Sequence, residues 1–279
     1  MAFKTITTII TDPVAERATL DAAIAFTARE SGHLDVICLG VDRTQPGIYY
    51  SGTSAIAMQT SLAEADTAAA RVEEEVKSIL DTAGGMSATH PVAAQTGSLA
   101  QILGNYTRLS DIAVLPKPYG DERAHEHEAI VEAALFDARI PVLIIPPNTA
   151  LPASLDTIVV AWNESREALT AVRHALPVLQ NAKVVNIAII DPPVHAPDRS
   201  DPGGALSQML SRHGVPAEVS ILAKTMPRVS EVIERHMTDL NADLLVMGAY
   251  GHSRLRESIL GGATRNTLQM AEMPVLMAH

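Results

Sequence analysis

Short apolar runs recur along the chain, separated by longer stretches in which apolar positions return every three or four residues. The runs predict strands at 5–11, 34–41, 88–94, 112–115 and 142–145. The helical spacing falls at 16–31, 54–83, 99–109 and 128–136. Residues 45–53 hold a proline, two glycines and Tyr49-Tyr50 and read as a loop. Pro146-Pro147-Asn148, followed by Pro152, reads as a linker. The alternation then restarts, with strands at 157–162, 184–190, 219–222, 244–247 and 275–277. Helices are predicted at 165–179, 205–213, 229–240 and 264–270, and the proline-rich stretch from Asp191 to Gly204 is a long loop.

The restart is an internal duplication. Ser110-Asp111-Ile-Ala-Val-Leu115 matches Ala242-Asp243-Leu-Leu-Val-Met247, and Ile140-Pro141-Val-Leu143 matches Met273-Pro274-Val-Leu276. The two offsets differ by one residue, so the halves run nearly in register. Strands alternating with helices call for α/β architecture: two tandem, doubly wound, parallel five-stranded sheets with helices on both faces. The predicted domains are residues 1–147 and 153–279. Ligands of such sheets bind beyond the carboxyl ends of the strands, where strand order reverses.

One stretch lies where that rule wants a ligand. Gly248-Ala-Tyr-Gly251 follows the apolar strand at 244–247, and Gly261-Gly262-Ala-Thr264-Arg265 leads into the next helix. Glycines let a backbone approach a ligand closely. A helix N-terminus offers unpaired N–H groups and the positive end of its dipole, which together suit phosphate. Thr264 is placed to cap the helix or bond a phosphate oxygen, and Arg254, Arg256 and Arg265 add positive charge. The stretch is neither a Walker A loop nor a dinucleotide fingerprint, since no Lys-Ser/Thr follows the glycines and no Gly-x-Gly-x-x-Gly is present.

Gly248-x-x-Gly251, nine residues, then Gly261-Gly262-x-Thr264 resembles the nucleotide loop of the universal stress protein family, and Pro274-Val-Leu276 is similar to that family's ending. ATP-binding members carry Ser or Thr where Gly262 stands here, and commonly an Asp where Asn163 follows the first strand of the second half. The resemblance implies a Rossmann-like fold and a cytoplasmic stress-response protein. It implies an adenine nucleotide, ATP or AMP with or without Mg, held by Ala161, Asn163, Gly248, Gly251, Gly261, Gly262, Thr264 and Arg265. It also implies pairing through the last strand, as a homodimer or as an intrachain pseudo-dimer. The alternative is a protein-interaction or dimerisation module of the same fold that binds no nucleotide and has unknown protein partners. Catalysis is not expected beyond slow ATP hydrolysis: Glu164, Asp191 and Glu257 are the nearest carboxylates, and none sits in a catalytic motif.

Composition narrows these readings. Of the 279 residues, 47% are apolar and only 3% aromatic, so the core is built from small aliphatic side chains. A formal charge of -11 argues against nucleic acid and anionic membranes as partners. The first twelve residues do not read as a signal peptide and no apolar run reaches the length of a membrane helix, so a cytoplasmic protein is expected. The single cysteine, Cys38, lies in an apolar run and reads as core.

The first half differs from the second at the decisive place. Pro116-Lys117-Pro118-Tyr119-Gly120 stands where Gly248-Ala-Tyr-Gly251 stands in the second half. Prolines lock φ and remove N–H donors, so a phosphate site of this kind is not expected there. His125-Glu126-His127-Glu128 invites a metal reading, but residues two apart on a helix face different ways, and a solvated loop or helix start is the preferred reading. In the second half, Trp162 is read as core packing or as a stacking partner for a base, and Ser165 as an N-cap.

Overall fold

The computed structural model describes residues 3–43, 54–120, 126–192, 201–249 and 262–279. The chain falls into two compact units. One comprises residues 3–116 and 121–140; the other comprises 117–120 and 141–279.

The first unit holds strands β1 (Thr5–Ile10), β2 (His33–Asp42), β3 (Ser87–Gln95) and β4 (Ile112–Pro116). They form a parallel sheet in the order β3-β2-β1-β4, with Thr7 opposite Asp35 on one side and Ala113 on the other. Among the described residues, four α-helices belong to it: α1 (Arg17–Glu30), α2 (Ser54–Ala83), α3 (Leu99–Thr107) and α4, which begins at Glu126–Glu132 and ends in a wider π turn, Ala133–Ala138. Strand β4 is buried throughout, as apolar runs covered on both faces should be. Gly40 explains how closely α2 lies on β2: a Cβ there would stand 1.9 Å from the carbonyl oxygen of Ala65. Cys38 is buried in the same strand, and burial, with Glu73 adding to it and Lys77 opposing, pushes its thiol up to about 12. An inert core thiol results.

The second unit holds β5 (Val142–Ile145), β6 (Thr157–Ala161), β7 (Val184–Ile190), β8 (Ala217–Leu222), β9 (Leu244–Gly248) and β10 (Val275–Ala278). Its order is β5-β10-β9-β6-β7-β8. All neighbours are parallel except β5 and β10, which pair antiparallel with Val275 opposite Ile144 and Met277 opposite Val142. Both strands are fully buried, and each covers the edge the other would expose. The helices are α5 (Arg166–Leu179), α6 (Gly204–Arg212), α7 (Val229–Asp239) and α8 (Ala263–Met270).

The duplicated aspartates do the same work in each unit. Asp111 accepts hydrogen bonds from the backbone N–H groups of Lys4 (2.7 Å) and Thr5 (2.9 Å), which fixes the start of β1 beside β4. Asp243 accepts from Asp156 (2.8 Å) and Thr157 (2.9 Å), which fixes the start of β6 beside β9. Sequence and structure differ at element ends and at β5, which was expected within residues 1–147 in a parallel sheet and lies with the second unit, antiparallel to β10. The helix expected from 128 begins at Glu126, and the strand expected from 219 begins at Ala217. The loop at 45–53 and much of that between Asp191 and Gly204 lie outside the described residues.

Candidate functional site

In the second unit, β6 gives rise to β7 on one side and has β9 on the other, so strand order reverses between β6 and β9. The two strands end together, with Ala161 opposite Met247 and Gly248 next in line. After Ala161 the chain turns at Asn163 and Glu164, whose φ of 61° places it in the left-handed region. Asn163 is exposed, and its Oδ1 accepts from the Ser165 N–H at 3.2 Å. Ser165 then caps α5, its hydroxyl accepting from the Ala168 N–H at 3.1 Å. Trp162 is half-buried at this corner.

Gly248 is a glycine for a reason the sequence did not disclose. A Cβ there would lie 2.5 Å from the Ala168 nitrogen and 2.6 Å from the Glu167 carbonyl carbon, so the first turn of α5 rests directly on it. Ala249 follows, its N–H donating to the Ala278 carbonyl at 2.9 Å, while His279 Nδ1 lies 2.9 Å from the Ala249 carbonyl. Because β9 and β10 are parallel, the helix joining them starts at the carboxyl edge of the sheet. That helix is α8. Gly262 is its N-cap residue, without a side-chain cap, and no acidic residue occupies its first turn. Of the two roles expected of Thr264, capping the helix or bonding a phosphate oxygen, the structure does not show the first: it is the second helical residue and is buried.

Arg265 is exposed, and its guanidinium stands 5.2 Å from the centroid of the Tyr119 ring. Among the described residues no carboxylate pairs with it. Asp191 sits exposed at the end of β7 with φ 47° and opens the loop that follows. The structure thus brings Ala161, Asn163 and Gly248 to one edge, and topology brings the start of α8, with Gly262, Thr264 and Arg265, to that edge as well. Gly251, Arg254, Arg256, Glu257 and Gly261 lie outside the described residues.

The corresponding edge of the first unit carries a network that sequence reasoning missed. Glu16 is buried just before α1, and its carboxylate accepts from the Thr11 N–H (2.8 Å) and hydroxyl (3.0 Å). His127 Nε2 meets the same carboxylate at 2.7 Å. Glu126, also buried, pairs with Arg43 at the end of β2. Burial pushes the Glu126 carboxyl up, but Arg43, the residue's own backbone N–H and His127 together hold it below its usual range. Asp42 accepts from the Ser61 hydroxyl and from the Gln95 amide at 3.2 Å. The stretch containing Glu126 and His127 is therefore a helix start, as one reading had it, but a buried and ion-paired one rather than a solvated one. Among the described residues, no group of three His, Cys, Asp or Glu side chains is arranged to hold a metal ion; His125 lies outside them. The signal available in sequence was the density of charge in the His-Glu-His-Glu run, but its partners, Glu16 and Arg43, are far away along the chain.

Fold and strand order together define an α/β protein built on largely parallel sheets, with a reversal of strand order between β6 and β9. Residues 154–279 match the model of the universal stress protein family. Over 73 residues the chain is 37% identical to a universal stress protein of the cyanobacterium Synechocystis, a match covering 26% of this chain and 24% of that protein. The chain thus spans about a quarter of that curated relative's length. Among solved structures, a universal stress protein of Archaeoglobus fulgidus superposes with a TM-score of 0.72 at 17% identity, covering 98% of this chain and 95% of that one. A functionally unknown protein of Pseudomonas aeruginosa superposes at 0.59 with 16% identity, covering 99% and 92%. At these identities the structures speak for the fold. The match to the universal stress protein family covers the second half of the chain, residues 154–279. No helix among the described residues is long and apolar enough to cross a membrane.

Proposed function

We propose that the second domain, residues 153–279, binds an adenine nucleotide, ATP or AMP, beyond the carboxyl ends of β6 and β9, and that the protein is regulatory rather than metabolic. The observation that carries this reading is what meets at this edge of the sheet. A reversal of strand order lies beside a close-packed glycine, Gly248, and a helix start whose first turn holds no acid. The groups present fit an anion. Asn163 keeps its amide NH2 as a donor for the nucleoside, since only its Oδ1 is engaged by the loop. The backbone N–H groups that open α8, together with Arg265, suit phosphates. Residues 1–147 are the tandem domain without such a site, its edge occupied by Glu16, Glu126 and their partners. The antiparallel pairing of β5 with β10 supports the intrachain form of the family's strand pairing.

One observation favours the alternative, a protein-interaction module without nucleotide: Gly248 is already required by α5, so its presence needs no ligand. Release of small molecules from denatured, freshly purified protein separates the two. The nucleotide reading expects adenine nucleotide by mass analysis, lost in Gly261→Val. Its absence, together with no heat on titrating ATP or AMP into stripped protein, supports the interaction module.

A further inference from the structure

Residues 117–120 belong in space to the second unit. They run along α8 and hold it at both ends. Lys117 is fixed by its own N–H to the Ile145 carbonyl (3.0 Å), and its ammonium reaches the Ala271 carbonyl (3.2 Å), where α8 ends. Burial lowers the Lys117 ammonium against the opposing pull of Glu272 and Glu234, and the helix C-terminus is a favourable place for it. At the other end, Tyr119 lies under the Arg265 guanidinium.

The position of Arg265 calls for an explanation. It is in the first turn of α8, where a cation opposes the helix dipole. No acidic residue in that turn offsets it, and no carboxylate among the described residues pairs with it. An aromatic face restrains a guanidinium without consuming its N–H donors. Arg265 is therefore held in place with its hydrogen-bonding fork left for an incoming anion.

Resting on the nucleotide reading above, we propose that Tyr119 is a positioning residue for phosphate recognition. By holding Arg265 at the start of α8, it makes the site selective for nucleoside polyphosphates over the bare nucleoside. Arg265 contacts the phosphates, and Tyr119 acts only through Arg265. The segment that lacks the glycines of its counterpart in the second half thereby serves the second half's ligand.

The test is calorimetric titration of ATP and of adenosine into stripped full-length protein, wild type and variants. Tyr119→Ala should weaken ATP by about two- to five-fold, the range of an exposed cation–π contact, and leave adenosine unchanged. Tyr119→Phe should behave as wild type. Arg265→Ala should weaken ATP at least as much as Tyr119→Ala, and adding Tyr119→Ala to it should cost nothing more. Lys117→Met, which loosens the far end of α8 without touching Arg265, should spare the ratio of ATP to adenosine affinity. Equal losses for ATP and adenosine in Tyr119→Ala, additive losses in the double variant, or the same selectivity change in Lys117→Met would overturn the proposal while leaving nucleotide binding intact. A wild-type protein that binds neither ligand removes the nucleotide reading itself, and this inference with it.

Discussion

The carboxyl edges of the two units started from the same plan and were finished in opposite ways. In the second unit the edge is lined by backbone, an exposed amide and a helix start without an acid: Gly248, Asn163 and Gly262. In the first, two buried carboxylates stand at the helix starts, Glu16 held by His127 and Thr11, and Glu126 by Arg43. A helix N-terminus attracts negative charge whether it arrives on a ligand or on the chain. The first unit supplies its own anions, so that edge becomes part of the core. In the second, no buried carboxylate stands at that edge among the described residues.

The most forceful way to break this comparison is to empty the first edge. Glu16→Ala leaves His127 and the Thr11 N–H facing a vacated, buried space. It should destabilise the first unit by about 3–5 kcal/mol, because three buried hydrogen bonds to one carboxylate are lost together. Denaturant unfolding followed by amide exchange reads this unit by unit. A loss confined to a few tenths would mean that the network is ornament.

Where the plan is shared, the effects should match. Asp111→Ala and Asp243→Ala each take a carboxylate from two backbone N–H groups at the first residues of a central strand. Each should cost about 1.5–3 kcal/mol by denaturant titration, with neither unit favoured. A markedly unequal pair would show that the duplication is one of sequence only.

Gly248→Ala sharpens the question of what the second edge is for. Its Cβ collides with the backbone of α5, so overpacking of about 1–3 kcal/mol is expected in thermal melts. The nucleotide reading adds weakened ATP binding, because α5 and the Asn163 turn must move. Destabilisation with unchanged affinity would assign the glycine to packing alone.

The smallest expected effect is a difference in pH response. Burial lowers the His236 imidazole against Asp239 and Glu218, and His236 Nε2 sits 2.8 Å from Asn186 Oδ1. A histidine lowered on folding contributes stability above its ordinary value of about 6.5 and loses it as pH falls through the folded value. Glu126, held low in the first unit, behaves with the same sign, but only as pH falls below the ordinary carboxylate value of about 4.3. Glu234, pushed up by burial and Glu272, works in the opposite direction in the second unit, so the clean reading is wild type against His236→Gln. Amide protection in the second unit should fall more steeply from pH 7 to 5 in wild type than in the variant.

How much of this was legible in the sequence follows from the range of the interactions. Alternating apolar runs and helical spacing are local, and they placed the strands and the duplication. Asp111 and Asp243 were visible as a repeated pair before their role was. The antiparallel seam of Val142–Ile145 with Val275–Ala278 was implied only by resemblance, since nothing in either run states its partner's direction. The Glu16–His127 contact joins residues 111 positions apart, and a charge run looks the same in sequence whether solvated or buried. The capping role offered for Thr264 does not hold because a cap depends on where the helix starts, and the N-cap is Gly262. Gly248 fitted the expected phosphate loop, yet its tightest constraint comes from α5, a contact no spacing discloses.

The measurement that bears most directly on the contrast between the two edges is the stoichiometry of ATP binding to stripped, full-length protein by calorimetry. One nucleotide per chain is expected, abolished by Gly261→Val and unaffected by Glu126→Gln. Two nucleotides per chain, or binding that survives Gly261→Val and vanishes in Glu126→Gln, would contradict it.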